Sequence, residues 1–427
     1  MSQIRRTINN LTNVIGGELL LRIANAFVAV LIGRVYGVAV LGAYAAILAV
    51  ATLAERVADN GLELTGIAEV SRGHENLSRF ATALCIDKSI LSLLAIGVLA
   101  IVASVLGLSS ARWLVAAILI IRTFVYSYCR LNAGLLKALD KTKPIVRAQA
   151  LHFALLTIGV LAVFLRKQSL SVLLLCLLAT QFLEFALTLS ALRRLGFRVS
   201  AVSSAFCWQL LRKSTPVGAI YTLSTLMLRG DVVVLSLIST ASVVGAFAAA
   251  DTSLVMIYVI AWLFSGILLS DLGSLSGNRE AFDVHFRNCL HGIILLTIPL
   301  AAIAAIFARA AVLSVFGQSF SAAAVPGTIM MFALPFIFLN AAFLSRTIAR
   351  NASRISLGIY GFTAVLSLLL NYFLGRWHGA TGVAYSILIR EAAMTLLFLR
   401  LWNLPERPAA SVAPLETNTE LTALLNT

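Results

Sequence analysis

Apolar runs, each about as long as a membrane crossing and bounded by charges, glycine or proline, follow one another through almost the whole chain. Set against the roughly 20 residues a helix needs to cross a bilayer, they predict about twelve transmembrane helices. The first half carries spans at residues 14–32, 40–58, 84–106, 113–133, 145–165 and 170–189. The second carries 216–238, 243–268, 289–307, 325–345, 355–374 and 381–401. Two edges are soft: the second span has a polar continuation toward Leu64, and the third begins near Asp87 and Lys88. The connections leave no room for a large soluble domain, and the polar, Pro-containing segment after residue 402 is expected to be disordered.

Composition agrees with the pattern. Charged residues make up 12% of the 427 and hydrophobic residues 60%, whereas a soluble domain carries about 25% charged residues. A mean hydropathy of +0.96 leaves apolar residues facing something other than water along most of the chain. The fold class expected is an all-α polytopic membrane protein. A formal charge of +15 would suggest nucleic acid in a soluble chain; here it is read as loop charge that sets orientation, and no nucleic-acid partner is expected. Of the 33 Lys and Arg, Arg22, Arg56, Arg122, Arg229 and Arg390 are set aside as span charges, those at span ends count with the adjoining loops, and only Arg34, Arg112, Arg166, Lys167, Arg309 and Arg376 fall on the side opposite the N-terminus. The remaining 22 share the N-terminal side, which places both termini in the cytoplasm and requires an even number of spans. Arg5 and Arg6 precede an apolar stretch that continues to Ile32 without a small-residue cleavage site, so the first span is read as uncleaved. Five scattered cysteines with no CxxC pair read as packing residues, with no metal site.

The chain also echoes itself. LGAYAA at 41–46 returns as VGAFAA at 244–249, an offset of 203, at the start of the second and eighth spans. LNAG at 131–134, ending the fourth span, returns as LNAA at 339–342, ending the tenth. Six spans therefore repeat on six. Each half holds an even number, so the halves insert in the same orientation, related by a pseudo-two-fold axis along the membrane normal. Residues 1–200 form the expected N-terminal lobe, 201–402 the C-terminal lobe and 403–427 a cytoplasmic tail, with a seam between the lobes where a substrate would sit.

A charge at the centre of a membrane helix costs roughly 2.5–3.5 kcal/mol on insertion scales, so each one calls for a partner, a hydrated cavity or a function. Arg22, Arg122, Glu184, Arg229, Asp231, Asp251, Arg390 and Glu391 lie deep in spans, and Glu55, Arg56, Asp59 and Glu63 crowd the end of the second. Glu18 lies one helical turn before Arg22 and can pair with it. Arg122 has only Tyr126 at helical spacing, so its partner must come from another helix or an anionic ligand. Arg229 and Asp231 are two apart and point to different faces. Arg56 reaches Asp59 and lies where arginine can snorkel to the interface. Glu184, Asp231, Asp251 and Glu391 have two readings: desolvated carboxylates that carry a coupling proton, or counter-ions of Arg122 and Arg229. His152 reads as a hydrogen-bonded helix contact.

No GxxxxGK[ST], HExxH or recognisable Ser-His-Asp grouping occurs, so neither ATP hydrolysis nor catalysis is expected, and no cofactor. The segments GRVYGVAVLGAYAAILAV (33–50) and DNGLELTGIAEVSR (59–72) resemble the start of the polysaccharide-biosynthesis flippases, the Wzx-type O-antigen and exopolysaccharide exporters of the multidrug, oligosaccharidyl-lipid and polysaccharide (MOP) export superfamily. VVGAFAAADTSL (243–254), FGQSFSAA (316–323) and LNYFLGRWHGATGVAYSILIRE (370–391) extend the resemblance over nearly the whole chain. It implies two six-helix lobes around a cavity that opens alternately to each side of the bacterial inner membrane.

The resemblance further implies the substrate, a polyprenyl-diphosphate-linked oligosaccharide carried to the periplasmic leaflet, with membrane lipid and a polysaccharide polymerase or glycosyltransferases as neighbours. Such flippases carry cavity cations; by depth, the candidates here are Arg22, Arg122 and Arg229, with Arg56 and Asp59 at the motif ending the second span. A guanidinium offers a diphosphate paired, charge-assisted contacts and keeps its proton. The rival readings are a multidrug or small-metabolite antiporter of the same superfamily, which favours acidic and aromatic walls, and more distantly a membrane glycosyltransferase or polymerase, which needs a larger outside loop.

Overall fold

The computed structural model describes residues 23–71, 77–105, 110–166, 168–275, 278–350 and 353–401. These residues are almost wholly helical, in the order α1 (Ile23–Tyr36), α2 (Val38–Asp59), α3 (Leu62–Ser71), α4 (Leu77–Val105), α5 (Ser110–Ala138), α6 (Lys143–Leu165) and α7 (Leu170–Arg194) through the first half. The second half continues with α8 (Ser204–Ile238), α9 (Ala241–Ser274), α10 (Arg279–Phe316), a 3-10 turn (Gln318–Ala323), α11 (Ala324–Met331), α12 (Leu334–Ala349) and α13 (Ser353–Arg400).

Nine of these helices are long and apolar enough to cross a bilayer, and the 3-10 turn with α11 and α12 makes a tenth, bent by 47°. α13 is two crossings. Gly379 breaks it with φ +55, and Gly382 sits against the carbonyl of Leu374, a contact that eight residues of straight helix, about 12 Å of rise, would not allow. With the shorter apolar helix α1, the described residues account for the twelve expected crossings; the part of the first span before Ile23 lies outside them.

Of the two soft edges, the second span ends where expected and does not continue toward Leu64, while the third starts earlier. The second span stops at Asn60 and Gly61, both in the left-handed region at φ +42 and +76, and α3 is a separate short helix. The third span starts at Leu77 instead of 84, which draws Asp87 and Lys88 inside it at 6% and 1% exposure. The burial of Lys88 is tolerable because it pairs with Asp59 of α2.

Polarity is inverted relative to a soluble protein. Leu295, Ile306 and Phe307 on α10, and Leu93, Leu94 and Ile101 on α4, stand on the outside of the bundle, where hydrocarbon solvates them. The largest buried cluster crosses between the halves, packing Ile32, Leu41 and Tyr44 with Val244, Phe247, Phe316 and Phe320. A second joins α3, α4 and α5 to the start of α8 through Leu62, Leu84, Leu135 and Leu210. A third is confined to the second half, around Phe282, Phe286, Phe343 and Phe398.

Candidate functional site

α2 runs along the seam between the halves and touches the second half at both of its ends. Near its start, Gly42 lies so close to α9 that a Cβ would overlap the carbonyl oxygen of Ala241, and a Cβ on Gly245 would overlap that of Val38. The contact is reciprocal: each glycine sits on the carbonyl four residues before the other, and both glycines come from the repeated motif, 203 positions apart. The repeat seen in the sequence is therefore also a point of contact in space. Beside it Gly33 packs on Phe320, and Arg34 donates from Nε to the Val315 carbonyl at 2.6 Å and from Nη2 to that of Ser314. Carbonyls in the last turn of α10 have no partner within their helix, so a guanidinium from the other half caps them and meets the negative end of the dipole.

The opposite end of α2 makes a second contact, with α8. A Cβ on Gly61 would stand 2.6 Å from the Gly218 nitrogen and 2.7 Å from the Ser214 carbonyl. Asn60 Nδ2 donates to Thr215 Oγ1 at 3.0 Å, and Lys213 reaches Glu69 of α3 at 2.7 Å. Gly42 and Gly61 are 19 residues apart, about 28 Å of helix, close to the thickness of a hydrocarbon core. Both ends of the seam are closed here, one across each face of the bilayer.

Charged side chains lie between the two contacts. Arg229 is about 16 Å along α8 from Gly218, its side chain 29% exposed, and its only ion-pair partner among the described residues is Asp251 of α9, at 3.8 Å. Closer to the Gly61 end, Arg130 of α5 pairs with Glu63 of α3 and stays 27% exposed, while Arg56 lies 3.8 Å from Asp59 and stays 14% exposed. Tyr221 of α8 is within electrostatic reach of Glu63, Arg56 and Arg130, and its neighbour Tyr360 of reaching Glu391. This patch joins the two halves.

Arg122 is buried at 7% exposure, donates from Nη2 to Asn25 Oδ1 of α1 at 2.8 Å, and has no acceptor for its Nε. The cross-helix partner expected for it is thus an amide, which leaves its charge uncompensated by that contact. Arg22 lies outside the described residues.

The acids fall into separate environments. Asp231 does not meet Arg229; it takes both oxygens to Arg390 Nη1, at 3.0 and 3.1 Å, and accepts from Asn371. Arg390 also donates to the Met227 carbonyl, Ser367, Tyr258 and Glu391, and is 1% exposed. All three of its nitrogens donate. Glu391 accepts further from Tyr258 and Asn340. Glu184 meets neither Arg122 nor Arg229 but Gln181 at 2.9 Å and His152 at 3.1 Å, between α7 and α6. His152 is the helix contact expected for it, with an acid as one partner.

Depth in a span does not point to Arg130, which counts with the loop charges because it lies three residues from the expected end of the fourth span at 133. Leu131, Leu135 and Leu136 are buried and carry α5 on to Ala138, and that apolar run after Arg130 was the available signal. Lys88 and Tyr221 carried no local signal, because their partners come from other helices.

The family model described as polysaccharide biosynthesis protein matches residues 8–267. Among solved structures, the chain is similar to the lipid II flippase MurJ in its inward closed conformation, at 15% identity over 91% of this chain and 87% of that one, with a TM-score of 0.75. It is also similar to an inward-facing multidrug resistance MATE family transporter of the MOP superfamily, at 16% identity over 95% of both chains and a TM-score of 0.71. A MOP superfamily transporter from Pyrococcus furiosus matches at 15% identity over 92% and 94% of the chains, with a TM-score of 0.65. No curated protein matches by sequence. At these identities the structural likeness establishes the fold.

Proposed function

The chain belongs to the polysaccharide biosynthesis protein family, and from that premise we propose that it is a flippase, moving a polyprenyl-diphosphate-linked oligosaccharide from the cytoplasmic to the periplasmic leaflet for surface polysaccharide assembly. Residues 1–200 and 201–402 act as the two lobes. The bias of Lys and Arg favours the Gly61 end at the cytoplasm and the Gly42 end at the periplasm, and the bacterial inner membrane follows from the proposed role.

The observation that carries this reading is the set of partly exposed guanidinium groups between the two closures: Arg229 from one half, Arg130 and Arg56 from the other. Each has a carboxylate beside it and donors to spare. A diphosphate is a better partner than a lone carboxylate for a planar, permanently charged fork. Arg122, whose hydrogen-bond partner Asn25 is a neutral amide, is assigned the same role, as is Arg22 from its place in the sequence alone. Asp231, Asp251 and Glu391 serve as counter-ions, and Glu184 with His152 braces the first half. An exporter of cations needs free acids in its seam; Asp251 and Glu63 are each beside an arginine, which favours an anionic substrate.

Transport follows from opening one closure at a time. The substrate enters at the Gly61 end, its diphosphate binds the arginines and its lipid tail stays in the bilayer through the gap between lobes. The Gly61 contacts then reform and the Gly42 contacts part. With the cell interior negative, outward movement gains about 2.3 kcal/mol per anionic charge per 100 mV, so membrane voltage can drive the step without an ATPase. Deleting the gene tests the reading: lipid-linked repeat units should accumulate in the cytoplasmic leaflet. Undiminished surface polysaccharide with no such accumulation would refute it.

A further inference from the structure

A groove of about 440 Å³ runs between α4, α5 and α7, within the first half and away from the seam, a volume in the range of small-molecule sites. Its walls are Cys85, Ile86 and Ile90 of α4, Phe185 and Leu189 of α7, and the connection holding Phe197 and Val199. Tyr128, edge-on to Phe185, is part of its floor. That connection is tied over one end of the groove: Arg198 N donates to Ser78 Oγ at 3.1 Å and Ser200 N to Thr82 Oγ1 at 3.2 Å.

Polar atoms line the groove, yet they are spent on one another. Tyr128 Oη and Ser89 Oγ are 2.7 Å apart, Ser89 donates to the Cys85 carbonyl, Thr82 to that of Ser78, and Asn132 to Thr188. A sugar would find no unpaired donors or acceptors here. The exception is Arg193, which lines the groove at the end of α7 and whose guanidinium has no hydrogen-bond or ion-pair partner among the described residues; neither have the guanidinium groups of Arg194 and Arg198 beside it. An apolar trough with one cationic corner fits a lipid chain joined to an anionic head.

We propose that this groove is a binding site for an anionic phospholipid of the leaflet at the Gly61 end: one acyl chain lies along Ile86, Ile90 and Leu189, and the phosphate meets Arg193. Its assignment to the cytoplasmic leaflet rests on the orientation given above; the groove itself does not depend on the flippase reading. A bound chain fills the space between α4 and its neighbours and steadies the first half while the seam moves.

The test is native mass spectrometry of the full chain released from nanodiscs holding equal phosphatidylglycerol and phosphatidylcholine with the same chains. One phosphatidylglycerol should be retained in preference. Arg193→Ala should lower its retention about fivefold, the effect of one basic group near a membrane surface, and Arg212→Ala should not. Ile86→Trp, which fills the groove, should reduce retention to the level of phosphatidylcholine. Should that variant unfold, Arg193→Ala, an exposed change, still decides. Equal retention of both lipids, or an Arg193→Ala variant that behaves as the wild type, would overturn the proposal. So would displacement of phosphatidylglycerol by stoichiometric polyprenyl phosphate, which would assign the groove to the substrate's own tail.

Discussion

The two closures of the seam are built on the same device and differ in how they are held. At each end a glycine, Gly42 within α2 and Gly61 just after it, lets two backbones meet where any side chain would block them. Both contacts are reciprocal, glycine against glycine; the Gly42 end is flanked by Phe316 and Phe320 and secured by Arg34 on the carbonyls that end α10. At the Gly61 end the chain leaves α2 through two left-handed residues, and beside the apolar cluster of Leu62 and Leu210 the polar contacts are one amide-to-hydroxyl bond and the Lys213–Glu69 pair, whose lysine side chain is 38% exposed. The Lys213–Glu69 pair, with only its lysine exposed, contributes on the order of 1 kcal/mol, and the two bonds from the exposed Arg34 side chain about 1.5–3 kcal/mol together. The Gly61 end should therefore open first. Under the proposed orientation this is the face on which a lipid-linked substrate is made.

The largest effect should come from removing the glycine device itself. Gly245→Leu places a side chain against the Val38 carbonyl, so the Gly42 end cannot close, and Gly218→Leu does the same at the Gly61 end against Asn60. Both should reduce transport more than about 100-fold, since overlap with backbone exceeds the ~1–3 kcal/mol of ordinary overpacking. Spin-label distances should lengthen at opposite ends in the two variants; lengthening at the same end in both would break the comparison. Next comes Arg34→Ala, which removes the cap on α10 and should raise the open population of the Gly42 end about tenfold, leaving the Gly61 end unchanged. The smallest change is Lys213→Ala, which should shift the Gly61 end by no more than about fivefold. That shift should vanish in high salt, which distance measurements at two ionic strengths would check.

Much of this was legible in the sequence because bilayers constrain it so strongly. Span length and charge cost leave few alternatives, and the apolar runs located each of the crossings that the described residues contain. LGAYAA and VGAFAA carried more than a repeat: their glycines are where the halves touch. Ion-pair partners were another matter. Arg390 and Asp231 are 159 residues apart, and so are invisible to helical spacing; nothing in either span says that Asp231 turns from Arg229 to Arg390. Arg130 was misplaced because one arginine looks like the end of a span unless the leucines after it are counted. Arg34, assigned to a loop by charge, is the residue that fastens the Gly42 end.

Anion capture by guanidinium groups inside the seam is the central claim, and reconstituted transport of a polyprenyl-diphosphate-linked oligosaccharide tests it most directly. The wild type should carry labelled lipid from one leaflet to the other. Arg229→Ala should lose about 100-fold in rate, in line with the loss of two charge-assisted hydrogen bonds. Arg229→Lys should recover only part of that loss, because the charge remains and the planar fork does not. Full rate in Arg229→Ala, with both closures intact, would contradict the account.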